Sequence, residues 1–245
     1  MEDEKFCKLL VDKRLNDIYE DTQCSECNIY IGGKDNFRKK IATMVEYKVS
    51  RKNREKPFFL ESIRQHLIDN HNAIVCDEQE AEDAVGIAAY KYDNFDEFII
   101  GNIDKDVDQI SGNHYNYVTK KKYFVDKYQA LRFFYTQLVT GDGTDDILGL
   151  YKMLQLKGRE EAAREFRYSR YKKKLIGELN AVSTELEMFE IVMNVYFKWF
   201  GEFPRSEVLE IARLLWIRRY ENEMWEFPVN RDFNYIDLDE REVIK

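Results

Sequence analysis

The sequence holds only three prolines and eleven glycines in 245 residues, and no repeat, linker or low-complexity stretch interrupts it. A disordered or loop-dominated chain is thereby excluded. No apolar run approaches the roughly 18 residues that cross a bilayer. The opening "MEDEKFCKLL" also lacks the basic-then-apolar pattern of an export signal. A cytoplasmic protein with no membrane partner is expected. Cysteine is scarce too: Cys7, Cys24, Cys27 and Cys76 read as free thiols. "CSEC" is a single CxxC pair without the second pair that a structural zinc site needs. Three scattered histidines, His66, His71 and His114, complete the shortages. His66 and His71 flank the end of one helix, but the sequence offers no third ligand, so surface or packing roles are expected for them.

Aromatic residues are abundant, with 16 Tyr, 16 Phe and 3 Trp, and the length suffices to bury a sizeable core. The net charge of −8 speaks against a polyanionic partner until its distribution is considered. Residues 34–56, "KDNFRKKIATMVEYKVSRKNREK", carry nine Lys or Arg against three acids. A second basic stretch, "REFRYSRYKKK" (164–174), interleaves Arg164, Arg167, Arg170 and Lys172 to Lys174 with tyrosines. Such runs are commonly solvated helix faces and need support from elsewhere before phosphate binding is inferred.

Apolar spacing predicts a helix over 4–20, a strand in "NIYIGG" (28–33), a helix in "PFFLESIRQHLIDN" (57–70), a strand in "AIVC" (73–76), a helix over 80–92 and a strand in "EFIIGN" (97–102). "HYNY" (114–117) reads as strand, its tyrosines as cross-strand packing or base-stacking groups. Beyond residue 128 the pattern is all-helical, including "SEVLEIARLLWIRRYENEMW" (206–225) with Trp216 and Trp225 in its core, and the tail 230–245 looks irregular. Alternating strands and helices imply an α/β fold with parallel strands, whose carboxyl ends gather ligands.

Acids cluster at those ends. Glu80, Glu82 and Asp83 lie in "EAED", Asp104, Asp106 and Asp108 in "NIDKDVD", and Asp142, Asp145 and Asp146 in "TGDGTDDILG". Carboxylates so close need a cation or a proton. Hard divalent ions take carboxylate oxygens and leave room for phosphate, which points to metal-assisted phosphoryl chemistry on a polyanion.

These motifs together resemble the phage and bacterial 5′ nucleases, the 5′-3′ exonucleases and flap endonucleases with a PIN-like domain. "EAED" is similar to the family's E-A-D-D, "NIDKDVD" to its D-x-D, and "TGDGTDDILG" to its G-D-x-x-D-N-I-P-G. "GKDNFRKKI" and "EYKVSRKNR" resemble the segments at the base of the family's helical arch. The resemblance covers about residues 1–150. It implies a PIN-like parallel sheet flanked by helices, with a basic arch segment, over 1–150. An all-helical DNA-binding region, of a degenerate helix-hairpin-helix type, would follow over 151–245. It further implies Mg²⁺ or Mn²⁺, two ions in number, bound by Glu80, Glu82, Asp83, Asp104, Asp106, Asp142 and Asp145. Lys48, with Asp83, Asp104 and Asp106, would be catalytic, Lys48 by contacting the scissile phosphate. Arg38, Lys39, Lys40, Lys48, Arg51, Lys52 and Arg54 would guide DNA carrying a 5′ single strand, flap or end, in replication or recombination in a bacterial or phage-infected cell.

The sequence departs from the family in several places. No strand ending in aspartate, of the "LIDAD" kind, precedes the first helix, Glu82 stands for the commoner Asp, and Asp146 for Asn. The hairpin that in relatives holds duplex phosphates, often with K⁺, is replaced after Gly149 by "LYKMLQLKG". The competing expectation is therefore an impaired or split homologue, completed by another polypeptide or by replication proteins, that binds branched or single-stranded DNA without cutting it. A third is a PIN nuclease acting on RNA.

Overall fold

A computed structural model describes residues 2–168 and 171–228. Arg170 of the second basic stretch and the tail expected to be irregular lie outside the described residues. The chain is mixed α/β, with small parallel sheets flanked by helices. Helix α1 (Glu2–Thr22) leads to β1 (Tyr30–Gly32), the short α2 (Arg38–Ile41), α3 (Leu60–His71), β2 (Ile74–Cys76), α4 (Ala81–Ala89) and β3 (Ile99–Asn102). β4 (Gly112–Asn116) and β5 (Lys121–Val125) follow. Then come α5 (Lys127–Thr140), α6 (Leu150–Leu156), α7 (Glu160–Tyr168), α8 (Tyr171–Asn180), α9 (Glu185–Phe200) and α10 (Arg205–Leu215). Among the described residues no helix is long and apolar enough to cross a membrane.

The expected strands form, but they divide into two sheets. β1 pairs with β2 in parallel, with Tyr30 opposite Ile74. β3 pairs in parallel with β4, and β4 antiparallel with β5. The β5 strand, "KKYFV", has no expectation in the sequence, because two lysines lead it and its apolar residues are few. Tyr115 of "HYNY" is buried and its hydroxyl meets Asp21 of α1, so this ring packs.

The main core lies among α5, α6, α8, α9 and α10, where Phe134, Leu138, Met153, Val192, Tyr196 and Ile211 are sealed from water. Local signals set its helices. Asp126 caps α5 through Tyr128 and Gln129 N–H groups, and Thr184 with Glu187 forms a reciprocal cap on α9.

α10 ends earlier than its apolar pattern suggests. The chain leaves helical geometry at Trp216 and runs extended into the second, smaller core of Ala89, Ile100, Val107, Ile110 and Ile217. The stop comes from a distant partner. Arg38, 2% exposed, donates through Nε to the Leu214 carbonyl at 2.8 Å and through Nη2 to the Trp216 carbonyl at 2.6 Å. A buried guanidinium thus satisfies carbonyls that a helix end leaves unpaired. The extended segment also passes over α4 so closely that a Cβ on Gly86 would stand 2.3 Å from the Arg218 carbonyl oxygen.

Candidate metal centre

The segments carrying the acids converge as their positions in the fold require. Glu80 ends the loop after β2 and begins α4, Asp104 follows β3 and caps a 3₁₀ turn (Lys105–Gln109), and Asp142 follows α5. Glu80, Glu82, Asp104, Asp106, Asp142 and Asp145 line one cleft of about 340 Å³ with Tyr47, Lys48, Arg51 and Lys105. Leu214, Leu215 and Ile217 form its apolar wall, contributed by the end of α10 and the extended segment beyond it.

The "TGDGTDDILG" loop is held by two hydrogen bonds between the backbones of Asp142 and Ile147, at 3.1 and 2.8 Å. Gly141, with φ +69°, is required: a Cβ there would meet the Gly149 nitrogen at 2.3 Å. The basic segment clasps this loop. Lys48 N–H donates to the Asp145 carbonyl at 3.0 Å, Ser50 N–H to the Asp146 carboxylate at 2.8 Å, and Arg51 to Asp145 Oδ1 at 2.5 Å. Lys48 itself has φ +56°, a left-handed conformation uncommon outside glycine. That turn carries its ammonium to Glu80 and to Asp145 Oδ2, the latter at 3.2 Å.

The cleft has two charge environments. On one side, Tyr47 Oη reaches Glu80 Oε2 at 3.0 Å and Asp145 Oδ2 at 2.9 Å. Burial, then the charge of Glu80, drives the Tyr47 phenol far above its ordinary range, so it serves as a fixed neutral donor. On the other side, Asp106 Oδ1 accepts from Gln137 at 2.7 Å, and Lys105 lies 3.6 Å from Asp142 Oδ2. Burial and the neighbouring Asp142 push Asp106 up to about 7. Burial also disfavours charge on Asp142, yet the Thr144 N–H and Lys105 outweigh it and hold that carboxyl below its ordinary value. Glu82 is raised by burial and by Glu80.

A divalent cation fits this donor set. Six carboxylates face three cations that are not neutralised elsewhere, Lys48, Arg51 and Lys105. Asp142 Oδ2 is buried without a hydrogen-bond partner, although an oxygen in that position ordinarily has one. The oxygen-only chemistry suits Mg²⁺ or Mn²⁺.

Asp83 is absent from the cleft lining, and Arg38, although on the cleft wall, is buried. Asp83 is 0% exposed and forms a two-pronged ion pair with Arg38, at 2.5 and 2.9 Å. It also accepts from the N–H groups of Glu80 and Arg218. Burial disfavours its charge, but Arg38 more than offsets this and lowers it. Asp83 therefore stands beneath the acids and anchors α4 and the segment after α10. Arg38 directs its donors to the Asp83 carboxylate and to the Leu214 and Trp216 carbonyls. Asp108 turns to Tyr123, at 2.8 Å. Lys39, Lys40, Lys52 and Arg54 are exposed, Lys40 beside Glu78 and Lys52 beside Glu46.

Tyr47, Lys105 and Gln137 are the cleft residues that sequence reasoning missed. The only signals for them were the adjacency of Tyr47 to Lys48 and the place of Lys105 between two aspartates.

No protein-family model matches the sequence, and no curated protein matches it. Among solved structures the chain is similar to the T5 D15 protein co-crystallised with metal ions, at 17% identity and a TM-score of 0.45, over 83% of this chain and 89% of that one. It is likewise similar to a lysine-to-alanine mutant of T5 5′-exonuclease, at 17% identity and a TM-score of 0.44, over 82% and 90%.

Proposed function

We propose that the chain is a divalent-metal-dependent 5′ nuclease that hydrolyses DNA phosphodiesters at a 5′ single strand, flap or end. Its catalytic machinery would fall within residues 1–150, with the DNA-binding region, built on α6 to α10, following from 151. The observation that carries this reading is the meeting of three acidic segments, far apart in sequence, in one cleft beside Lys48 and Arg51. Asp104, Asp106 and Asp142 would hold one Mg²⁺ or Mn²⁺, with Glu80, Glu82 and Asp145 around a second. Such ions, when bound, polarise the phosphate and supply an activated water.

The chain's own residues do the rest. Lys48 and Arg51 are paired with Glu80 and Asp145, and a phosphate offers them oxygens of the same geometry. With their acids taken up by cations, both side chains can turn to the scissile phosphate and stabilise its growing charge. Tyr47 keeps Glu80 and Asp145 oriented. The exposed Lys39, Lys40, Lys52 and Arg54 extend the basic surface along which a single strand would run.

One observation favours the second reading, a DNA-binding accessory protein without turnover. Lys48 and Arg51 bridge acids across the cleft, and among the described residues no three of its carboxylates bring oxygens within 4.8 Å of one another. A labelled 5′-flap substrate with Mn²⁺ separates the two. Cutting that a chelator stops, and that Asp106→Asn with Asp142→Asn abolishes, supports the nuclease. Salt-dependent binding to branched DNA with no product rejects it in favour of the accessory role. The same assay on RNA tests the third expectation.

A further inference from the structure

Outside the acidic cleft the fold brings together a set of ligands that the sequence separates. Asp12 on α1 meets His66 and His71 on α3, with Asp12 Oδ1 at 2.6 Å from His66 Nε2 and 2.7 Å from His71 Nε2. Among the described residues these are the three His, Cys or carboxylate side chains whose ligand atoms all lie within 4.8 Å of one another. The third ligand, absent from the local sequence, comes from a helix more than fifty residues earlier. None of the three lines the acidic cleft.

We propose that Asp12, His66 and His71 form a binding site for a transition-metal dication of the zinc class, which fastens α1 to α3. Two imidazoles and one carboxylate are a borderline-soft nitrogen and oxygen set that suits Zn²⁺, Co²⁺ or Ni²⁺ better than Mg²⁺. Ligand atoms held at 2.0–2.2 Å in a tetrahedron stand about 3.4 Å apart, so each hydrogen-bonded pair must open by less than about 1 Å. Rotation of a half-exposed carboxylate supplies that movement, since the Asp12 side chain is 35% exposed. The exposure also lets water complete the coordination shell.

The surroundings are those of a ligating histidine. Asn70 Nδ2 lies 3.1 Å from His66 Nδ1. The same amide nitrogen donates to the His66 carbonyl at 3.1 Å, so the group beside Nδ1 is itself held in place. Such a neighbour on the far ring nitrogen restricts the ring's rotation and keeps Nε2 aimed at Asp12. A fastening has a purpose here. α1 runs for 21 residues with none buried, and Phe6, Leu9 and Leu10 on it are exposed. It is held by polar contacts, among them Glu4 with Ser62, Arg14 with the Tyr117 carbonyl at 2.5 Å, and Asp21 with Tyr115 and Lys120.

The test uses the full chain, stripped with a chelator and titrated with Co²⁺ and Zn²⁺. In excess Mg²⁺, which occupies the acidic cleft, the expected result is one tight equivalent of cobalt with visible absorption, displaced by zinc, with a dissociation constant of about 1 μM or tighter. Affinity should fall by about 100-fold or more in His66→Ala, His71→Ala and Asp12→Asn. It should hold in Cys24→Ser with Cys27→Ser and in Asp106→Asn with Asp142→Asn. Loss in either of those control pairs alone, or no saturable binding, overturns the proposal. Imidazole resonances of the unmutated protein give a readout that does not depend on variants folding. Zinc should shift those of His66 and His71 and leave buried His114 unmoved, and the opposite pattern rejects the site.

Discussion

At the scale of single residues the acidic cleft turns on one proton and two cations. Asp106, raised to about 7 from an ordinary 3.8, keeps a proton in the folded state that the unfolded chain has already lost. The folded state therefore binds more protons between about pH 4 and 7, and stability falls as pH rises through that window. Asp142, lowered in the fold, has its contribution already complete above its ordinary value and adds no slope there. Thermal unfolding of metal-free protein should show the melting temperature declining from pH 5 to 8, and Asp106→Asn should flatten the decline. If Asp106 holds a divalent ion, the ion must displace that proton, so Mn²⁺ affinity should rise with pH up to about 7 and level off, which isothermal titration at several pH values measures. If Lys48 stabilises the charge growing on phosphate, Lys48→Met lowers kcat by about 10²–10³ with a smaller effect on KM. Single-turnover cleavage of a 5′-flap substrate checks this. The gathering of Glu80, Glu82, Asp104, Asp106, Asp142 and Asp145 was legible because each follows an element whose end could be read from apolar spacing. The side chains that tune them were not: nothing local to Tyr47 or Gln137 says which carboxylate lies opposite.

At the scale of elements, ends prove harder to read than middles. The apolar pattern of α10 continues past Leu215, and propensity alone would carry the helix on. The stop is set by Arg38, whose own sequence context reads as one more basic residue in a charged run. Its pairing with Asp83 spans 45 positions, beyond the reach of any periodicity. Removing one partner leaves the other charge buried, so Asp83→Asn and Arg38→Met should each cost about 3–5 kcal/mol in urea unfolding. Replacing both by apolar residues should recover part of that loss. Gly86→Ala offers a second check at this scale. Alanine favours a helix interior over glycine by about 1 kcal/mol, yet the added methyl would sit on the Arg218 carbonyl. Overpacking against backbone should win and destabilise by about 1–3 kcal/mol, measured in the same unfolding experiment.

At the scale of the molecule, the change after β5 from mixed α/β to all-helical is plain in the sequence, and the interlocking across it is not. α5 packs against α8, α9 and α10, and the segment after α10 returns to Asp83 and to Gln109, whose Nε2 donates to the Leu215 carbonyl at 2.9 Å. A chain cut after residue 150 exposes Phe134 and Leu138 and strips Asp83 and Arg38 of their later partners. It should therefore show no cooperative melting by circular dichroism, whereas residues 1–228 should.

The return of Leu214 to Arg218 also fixes the order in which a newborn polypeptide matures. The other residues that line the acidic cleft precede Leu214 in the chain, so until Leu214 to Arg218 emerge the cleft lacks its apolar wall. Closure is a long-range event, slow in the way that distant contacts are slow. Any reactivity of the cleft would then begin only once Leu214 to Arg218 have cleared the ribosome.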